Sequence, residues 1–291
     1  MNNLPHSSDT TKTLSPEAQI AFVGCGVMAE AILAGILRQE LLKPEQITGS
    51  HPRESRRNEL QAKYGIRVFA DNREAATEVQ KARTNSVVFL CVKPQRLDIV
   101  LDELETAVSP EQLFVSIIAG ARIGTISEKL KNPRVVRTMP NTPSQIGAGM
   151  TAWTCTAEVG KTERDLVKTL LGALGREMFV ETENMIDMAT ALSATGPTYV
   201  FLVMEALTDA GVHLGFSRDM ARELVQETML GSVLFAKESH KHPAELRNMV
   251  TSPGGTRAEA IYQMEKGSIR TVLSKAVYAA YNRAASLGQK K

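Results

Sequence analysis

Three cysteines in 291 residues, a single tryptophan and an aromatic share of 5% set the first bounds on this chain. Cys25, Cys91 and Cys155 are odd in number and far apart, and none belongs to a CxxC or Cys/His ligand spacing. Neither a disulfide framework nor a metal site is therefore indicated, and small buried thiols are the expected role for those in apolar runs. No apolar run approaches the about 18–20 uncharged residues that span a bilayer, so no membrane partner is expected. Charge of one sign is also lacking: 34 Lys and Arg face 32 Asp and Glu, a net +2 spread along the whole chain. With so few aromatics, that distribution argues against nucleic acid as a partner. The opening MNNLPHSSDTTKTLSP has no apolar stretch of the kind a secretory signal needs. Residues 1–17 are expected to be a flexible polar leader, with the cytoplasm as the default compartment.

What is present is ordinary globular material, 43% apolar and 23% charged, in a length suited to two domains. From Ile20 to Val180 short apolar runs alternate with segments of helical period. Strands are expected at 20–23, 46–49, 86–92, 113–118, 135–138, 150–156 and 176–180, with a short, doubtful one at 67–69. Helices are expected at 27–38, 54–64 and 161–174. That alternation is the mark of an α/β chain with a parallel, doubly wound sheet, Rossmann-like, placed at 18–181. Beyond it, 182–291 is helical nearly to the end, broken by Gly196-Pro197 and by Ser252-Pro253-Gly254-Gly255. The helices expected at 185–214 and 218–237 are apolar around much of their circumference, so this all-α domain is expected to bury them against a second copy.

The chemistry starts at Gly24-Cys25-Gly26-Val27-Met28-Ala29, a GxGxxA loop that follows a strand and opens a helix. Gly24 permits the tight turn, Gly26 lets a pyrophosphate approach the amides at the helix start, and Ala29 keeps helix and strand close. At the end of the second strand an NAD enzyme usually carries an acid for the ribose 2′-hydroxyl. Here the run is Gly49-Ser50-His51-Pro52-Arg53-Glu54-Ser55-Arg56-Arg57. Hydroxyl and guanidinium groups suit a 2′-phosphate, so Ser50, Arg53 and Arg56 point to NADPH, with NADH as the alternative.

These residues, together with VKPQ at 92–95, MPNTP at 139–143, LSATGPTYVF at 192–201 and HPAELRNMVTSPGGT at 242–256, resemble the pyrroline-5-carboxylate reductase family from Ile20 to about Gly288. The resemblance implies reduction of the cyclic imine 1-pyrroline-5-carboxylate to L-proline by hydride transfer from NAD(P)H, the last step of proline biosynthesis. It also implies a homodimer joined through the helical domains, in some members built up to a homodecamer. Implied nucleotide contacts are the Gly24–Met28 loop, Ser50 to Arg53 including His51, Asn72, Val92-Lys93-Pro94 and Ala119-Gly120. Glu183 matches a family acid near substrate and nicotinamide. The residues themselves agree, because imine reduction needs positioning and a carboxylate site rather than a nucleophile or a metal. Ser252, Gly254, Gly255 and Thr256 supply such a site, with free amides and hydroxyl donors at a helix start.

Two departures from the family pattern stand out. Ser193-Ala194-Thr195-Gly196-Pro197-Thr198 replaces the usual Ser-Gly-Ser-Gly-Pro-Ala, and Arg257 stands where a hydrogen-bonding, proton-donating Thr is common. Arginine clamps carboxylates but has no proton to give at neutral pH. Thr256 or water is then the expected donor, or the substrate differs. Two alternatives therefore stay open: a reductase of another cyclic imine or imino acid, and a non-catalytic NADP-binding member. A β-hydroxyacid dehydrogenase would need a lysine on the first long helix of the second domain, and residues 184–216 contain none.

Overall fold

A computed structural model of the protein describes residues 14–288, apart from the side chains of Arg83 and Thr84. Two compact units emerge, one formed by the chain up to Ala194 together with the stretch from Tyr281, the other by Thr195–Ala280. The division thus falls later than the expected boundary at 181/182. Residues 1–13 of the expected leader lie outside the described residues. The remainder is not loose: Leu14 packs on the core, and Gln46 Nε2 donates to the Pro16 carbonyl at 3.1 Å.

In the first unit eight strands form one sheet, β1 (Gln19–Val23), β2 (Ile47–Ser50), β3 (Arg67–Phe69), β4 (Ser86–Leu90), β5 (Leu113–Ser116), β6 (Val135–Met139), β7 (Gly149–Cys155) and β8 (Gly175–Phe179). Their order is β3-β2-β1-β4-β5-β6-β7-β8. Strands β1 to β6 are parallel, whereas β7 runs antiparallel to β6 and β8 follows β7 in parallel. The reversal has a simple cause. Residues 140–148 hold only a short 3-10 turn at Thr142–Ile146, too little for the crossover of a dozen or more residues that a parallel partner requires.

Side chains alternate across the sheet, as strand geometry demands. Ile20 and Phe22 of β1, with Val87 and Phe89 of β4, face a core shared with helices α1 (Val27–Arg38), α2 (Glu54–Tyr64) and α6 (Lys161–Gly172). Ala21, Val23, Val88 and Leu90 face the opposite core, built with α3 (Asn72–Glu78), α4 (Leu97–Leu104) and α5 (Ile123–Leu130). Phe22 and Phe89 pair in register and stack at 5.1 Å. The doubtful strand at 67–69 is real, an edge strand on β2.

Helix α7 (Glu183–Ala189) still belongs to this first unit, because Ile186 and Asp187 are fully buried there. A π-helical turn at Thr190–Ala194 then breaks the helix expected from 185. The second unit holds α8 (Gly196–His213), α9 (Arg218–Ser239), α10 (Pro243–Met249), α11 (Thr256–Lys266) and most of α12 (Ile269–Leu287). Helices α8 and α9 form a hairpin in which Gly211 lies so close to Ala221 that a Cβ there would sit 2.9 Å from the alanine methyl. Ala221 is the one buried hydrophobic residue among those described between 195 and 280. Among the described residues no helix is long and apolar enough to cross a membrane.

Candidate active site

Parallel strands deliver their C-terminal ends to one edge of the sheet, and the crevice opens where the order reverses, between β1 and β4. The glycine loop after β1 lies at that switch. Gly24 has φ +89°, and a Cβ on it would stand 2.6 Å from Val92 Cγ1, so a side chain is excluded twice over. Its amide donates to Ser50 Oγ at 3.1 Å, and the Cys25 amide donates to the Ser50 carbonyl at 2.8 Å. At Gly26, the N-cap of α1, a Cβ would meet nothing within 4 Å. No side chain caps α1, so its first-turn amides and dipole face that open space beside the exposed Val27 and the half-buried Met28. Ala29 is buried against the strand. An uncapped helix start with room above a glycine fits the diphosphate of a dinucleotide.

The residues after β2 divide differently from the expectation. Ser50 is fully buried, accepting from Gly24 and donating to Asn72 Oδ1 at 2.6 Å. Asn72 in turn donates to Glu103 at 2.7 Å. Both are expected on the nucleotide; in this structure Ser50 ties down the glycine loop and Asn72 holds Ser50. Arg56 is likewise engaged elsewhere. Its guanidinium pairs with Glu30 and with Glu59 at 2.8 Å and reaches the Cys25 carbonyl at 3.4 Å. Glu30 also accepts from Lys63 at 2.8 Å and Tyr64 at 2.7 Å. Burial alone would raise the Glu30 carboxyl, but hydrogen bonds from Lys63, Arg56 and Tyr64 bring it down to about 2. Arg53, the N-cap of α2, is exposed. Burial, with the charges of Arg53, Arg56 and Arg57, holds His51 below the usual imidazole range. Cys25 beneath the loop is pushed up to about 12 by burial and stays a thiol.

After β4, Val92 closes on Gly24 while Lys93 and Pro94 are exposed. After β5 the chain turns through Ala119 and Gly120, with the Ala121 amide donating to the Ile118 carbonyl at 3.2 Å and Gly120 at φ +76°. Between these two loops lies a cavity of about 190 Å³, bounded by Pro94, Leu97, Gly120, Arg122, Leu287 and others. Glu183 is held at the start of α5. Its Oε1 accepts from the Ile123 amide at 2.8 Å and from Arg137 at 2.9 Å, so this oxygen caps α5.

The remaining expected residues lie in the second unit. Gly254 has φ +70°, the Gly255 amide closes the turn onto the Ser252 carbonyl at 3.2 Å, and Gly255 is the N-cap of α11 with no capping side chain. Thr256 and Arg257 are exposed in the first turn of that helix. Arg257 folds back to donate to the Val250 carbonyl at 2.5 Å, while Glu259 pairs with Gln263 and Glu265 with Arg270. Sequence reading missed Arg122, Arg137 and Asp187. Arg137 in the middle of the apolar strand VVRTM was the available signal, because a buried charge demands a partner.

A doubly wound sheet with a glycine loop at its switch point and an appended helical unit defines a dinucleotide-binding oxidoreductase. Residues 19–120 match the family model described as NADP oxidoreductase, coenzyme F420-dependent, and residues 183–287 match the pyrroline-5-carboxylate reductase dimerisation model. A pyrroline-5-carboxylate reductase of Synechocystis sp. is 40% identical, covering 94% of this chain and 99% of that protein, and one of Arabidopsis thaliana is 36% identical over 93% and 96%. The NADP-bound structure of the Plasmodium falciparum pyrroline carboxylate reductase is 29% identical, with a TM-score of 0.85 over 94% of this chain and 99% of that one. The chain belongs to the pyrroline-5-carboxylate reductase family.

Proposed function

We propose that this protein reduces 1-pyrroline-5-carboxylate to L-proline with NADPH, with NADH as a lesser alternative. The carrying observation is similarity along nearly the full chain to reductases of that name, across both the glycine loop and the Ser252–Thr256 turn. NADPH, when bound, would supply the hydride to the imine carbon, the atom that becomes C5 of proline. The chain's own part is positioning. The first turn of α1 holds the diphosphate, Arg53 and the His51 segment hold the 2′-phosphate, and Lys93-Pro94 and Ala119-Gly120 border the nicotinamide end.

For the substrate, the amides of Gly254 and Gly255 with the hydroxyls of Ser252 and Thr256 form a carboxylate site at the start of α11. Arg257 adds a bidentate clamp once it leaves the Val250 carbonyl. The proton for the ring nitrogen comes from the Thr256 hydroxyl or a water, since Arg257 keeps its own. The active unit is a homodimer formed through α8 and α9, whose exposed Phe201, Leu202, Val233 and Phe235 need covering. The working compartment is the cytoplasm. The test is consumption of NADPH with racemic pyrroline-5-carboxylate and identification of proline as product. Activity on a different cyclic imine in its place would favour the altered specificity that Arg257 makes plausible, and NADPH binding without turnover of any imine would mark a non-catalytic member.

A further inference from the structure

We infer that Asp187, acting through Arg122, is a positioning residue for the nicotinamide end of the cofactor pocket. This rests on the reading of the cavity between Pro94 and Gly120 as that end of the NADPH site.

The geometry is a closed ionic lattice behind the pocket wall. Arg137 of β6 is fully buried, with Nη1 at 2.9 Å from Glu183 and Nη2 at 2.6 Å from Asp187. The two acids lie four residues apart on α7, hence on one face of the helix. Asp187, itself fully buried, reaches Arg122 through its other oxygen at 2.9 Å. Two cations and two anions balance. The lattice is nonetheless imperfect as a stabilising device: Arg137 Nε has no hydrogen-bond partner, and Asp187 Oδ2 has no aligned donor despite its ion pair with Arg122. Buried ion pairs seldom stabilise more than the apolar side chains that could replace them, so their worth lies in fixing a geometry.

Here the geometry fixed is the turn from Ala119 to Ile123. Glu183 caps the α5 amide of Ile123, and Asp187 holds the Arg122 guanidinium, which lines the cavity. From the other side the end of α12 closes on the same turn. A Cβ on Gly120 would stand 2.6 Å from Leu287 Cβ, and one on Gly288 would stand 2.6 Å from Arg122 Nε. Arg122 therefore sits between the lattice and the C-terminal turn. Released from Asp187, it is free to rotate toward the cavity or solvent, and the wall that meets the cofactor loses its anchor.

A double-mutant cycle tests this, with NADPH affinity read by direct titration in the absence of imine and steady-state constants read beside it. Asp187→Asn and Arg122→Gln are each expected to weaken NADPH binding about five-fold or more, and the double variant to be no worse than the weaker single one. The Michaelis constant for the imine stays unchanged, and Arg122→Lys, which keeps the charge facing Asp187, restores most of the affinity. Effects that multiply in the double variant overturn the inference. So does an Asp187→Asn protein with a lowered melting midpoint but unaltered NADPH affinity. If Asp187→Asn does not fold, equal affinity of the Arg122→Gln and wild-type proteins overturns it in the same way. A wild-type protein that binds no NADPH overturns the cofactor reading itself, an outcome distinct from wild-type binding with unaffected variants.

Discussion

Phe22 and Phe89 stack inside the sheet at zero exposure, whereas Phe201 and Phe235, chemically the same, are more than half exposed on α8 and α9. In the first unit, strand alternation feeds two cores, each roofed by helices of the same chain. In the second, long helices turn Leu, Val, Phe and Met outward and bury little but Ala221. Secondary structure is well formed in both, so the difference is not one of local propensity. The Rossmann-like unit buries its apolar side chains within itself, while the helical unit, which matches the dimerisation model, leaves exposed the kind of apolar area that an interface covers.

The sharpest way to break that contrast is to charge the helical face. Phe235→Glu is expected to weaken self-association by at least about 30-fold, since truncated or charged aromatic anchors lose 2 kcal/mol or more. Sedimentation that shows an unchanged assembly, or a fully active monomer, would mean the exposed face has another purpose. Next in size is the carboxylate site of the helical unit. Arg257→Ala is expected to lose about 2–4 kcal/mol of transition-state binding, mostly in the Michaelis constant, while Arg257→Thr keeps substantial activity. Near-normal kinetics for Arg257→Ala would leave binding to the backbone amides.

In the sheet unit the expected effects divide between the cofactor and stability. Arg53→Ala is expected to raise the NADPH Michaelis constant selectively, by the about 1.5–3 kcal/mol of a charge-assisted contact. Arg56→Ala, freed from Glu30 and Glu59, is expected instead to lower stability and leave the NADPH/NADH ratio nearly unchanged. A ratio that shifts with Arg56 and not Arg53 would reverse the assignment. Last comes acid sensitivity. Glu30 is held at about 2, below its unfolded value, so its contribution is whole above pH of about 4.5 and fades as pH falls toward 2. Glu30→Gln is expected to remove on the order of 2 kcal/mol at neutral pH and to flatten acid unfolding over that window.

Much of the sheet unit was legible because its signals are local. Continuous apolar runs such as SVVFLCV mark strands buried on both faces, and a GxGxxA after one of them marks the loop. The reversal of β7 was not legible from apolar pattern alone; it follows from the shortness of 140–148. The surroundings of Arg56 were hidden for a related reason. Sequence shows three guanidinium groups near one loop but not that Glu30, one helix away, already holds one of them. The Arg137–Asp187–Arg122 lattice joins residues far apart in the chain, and only Arg137, a charge inside a strand, gave any sign of it.

The most direct measurement follows the hydride. With NADPH deuterated at the transferable position and pyrroline-5-carboxylate as substrate, the protein is expected to produce L-proline bearing one deuterium at C5, in step with cofactor oxidation. Cofactor oxidation without labelled proline, or no oxidation by a folded dimer that binds NADPH, would contradict the account.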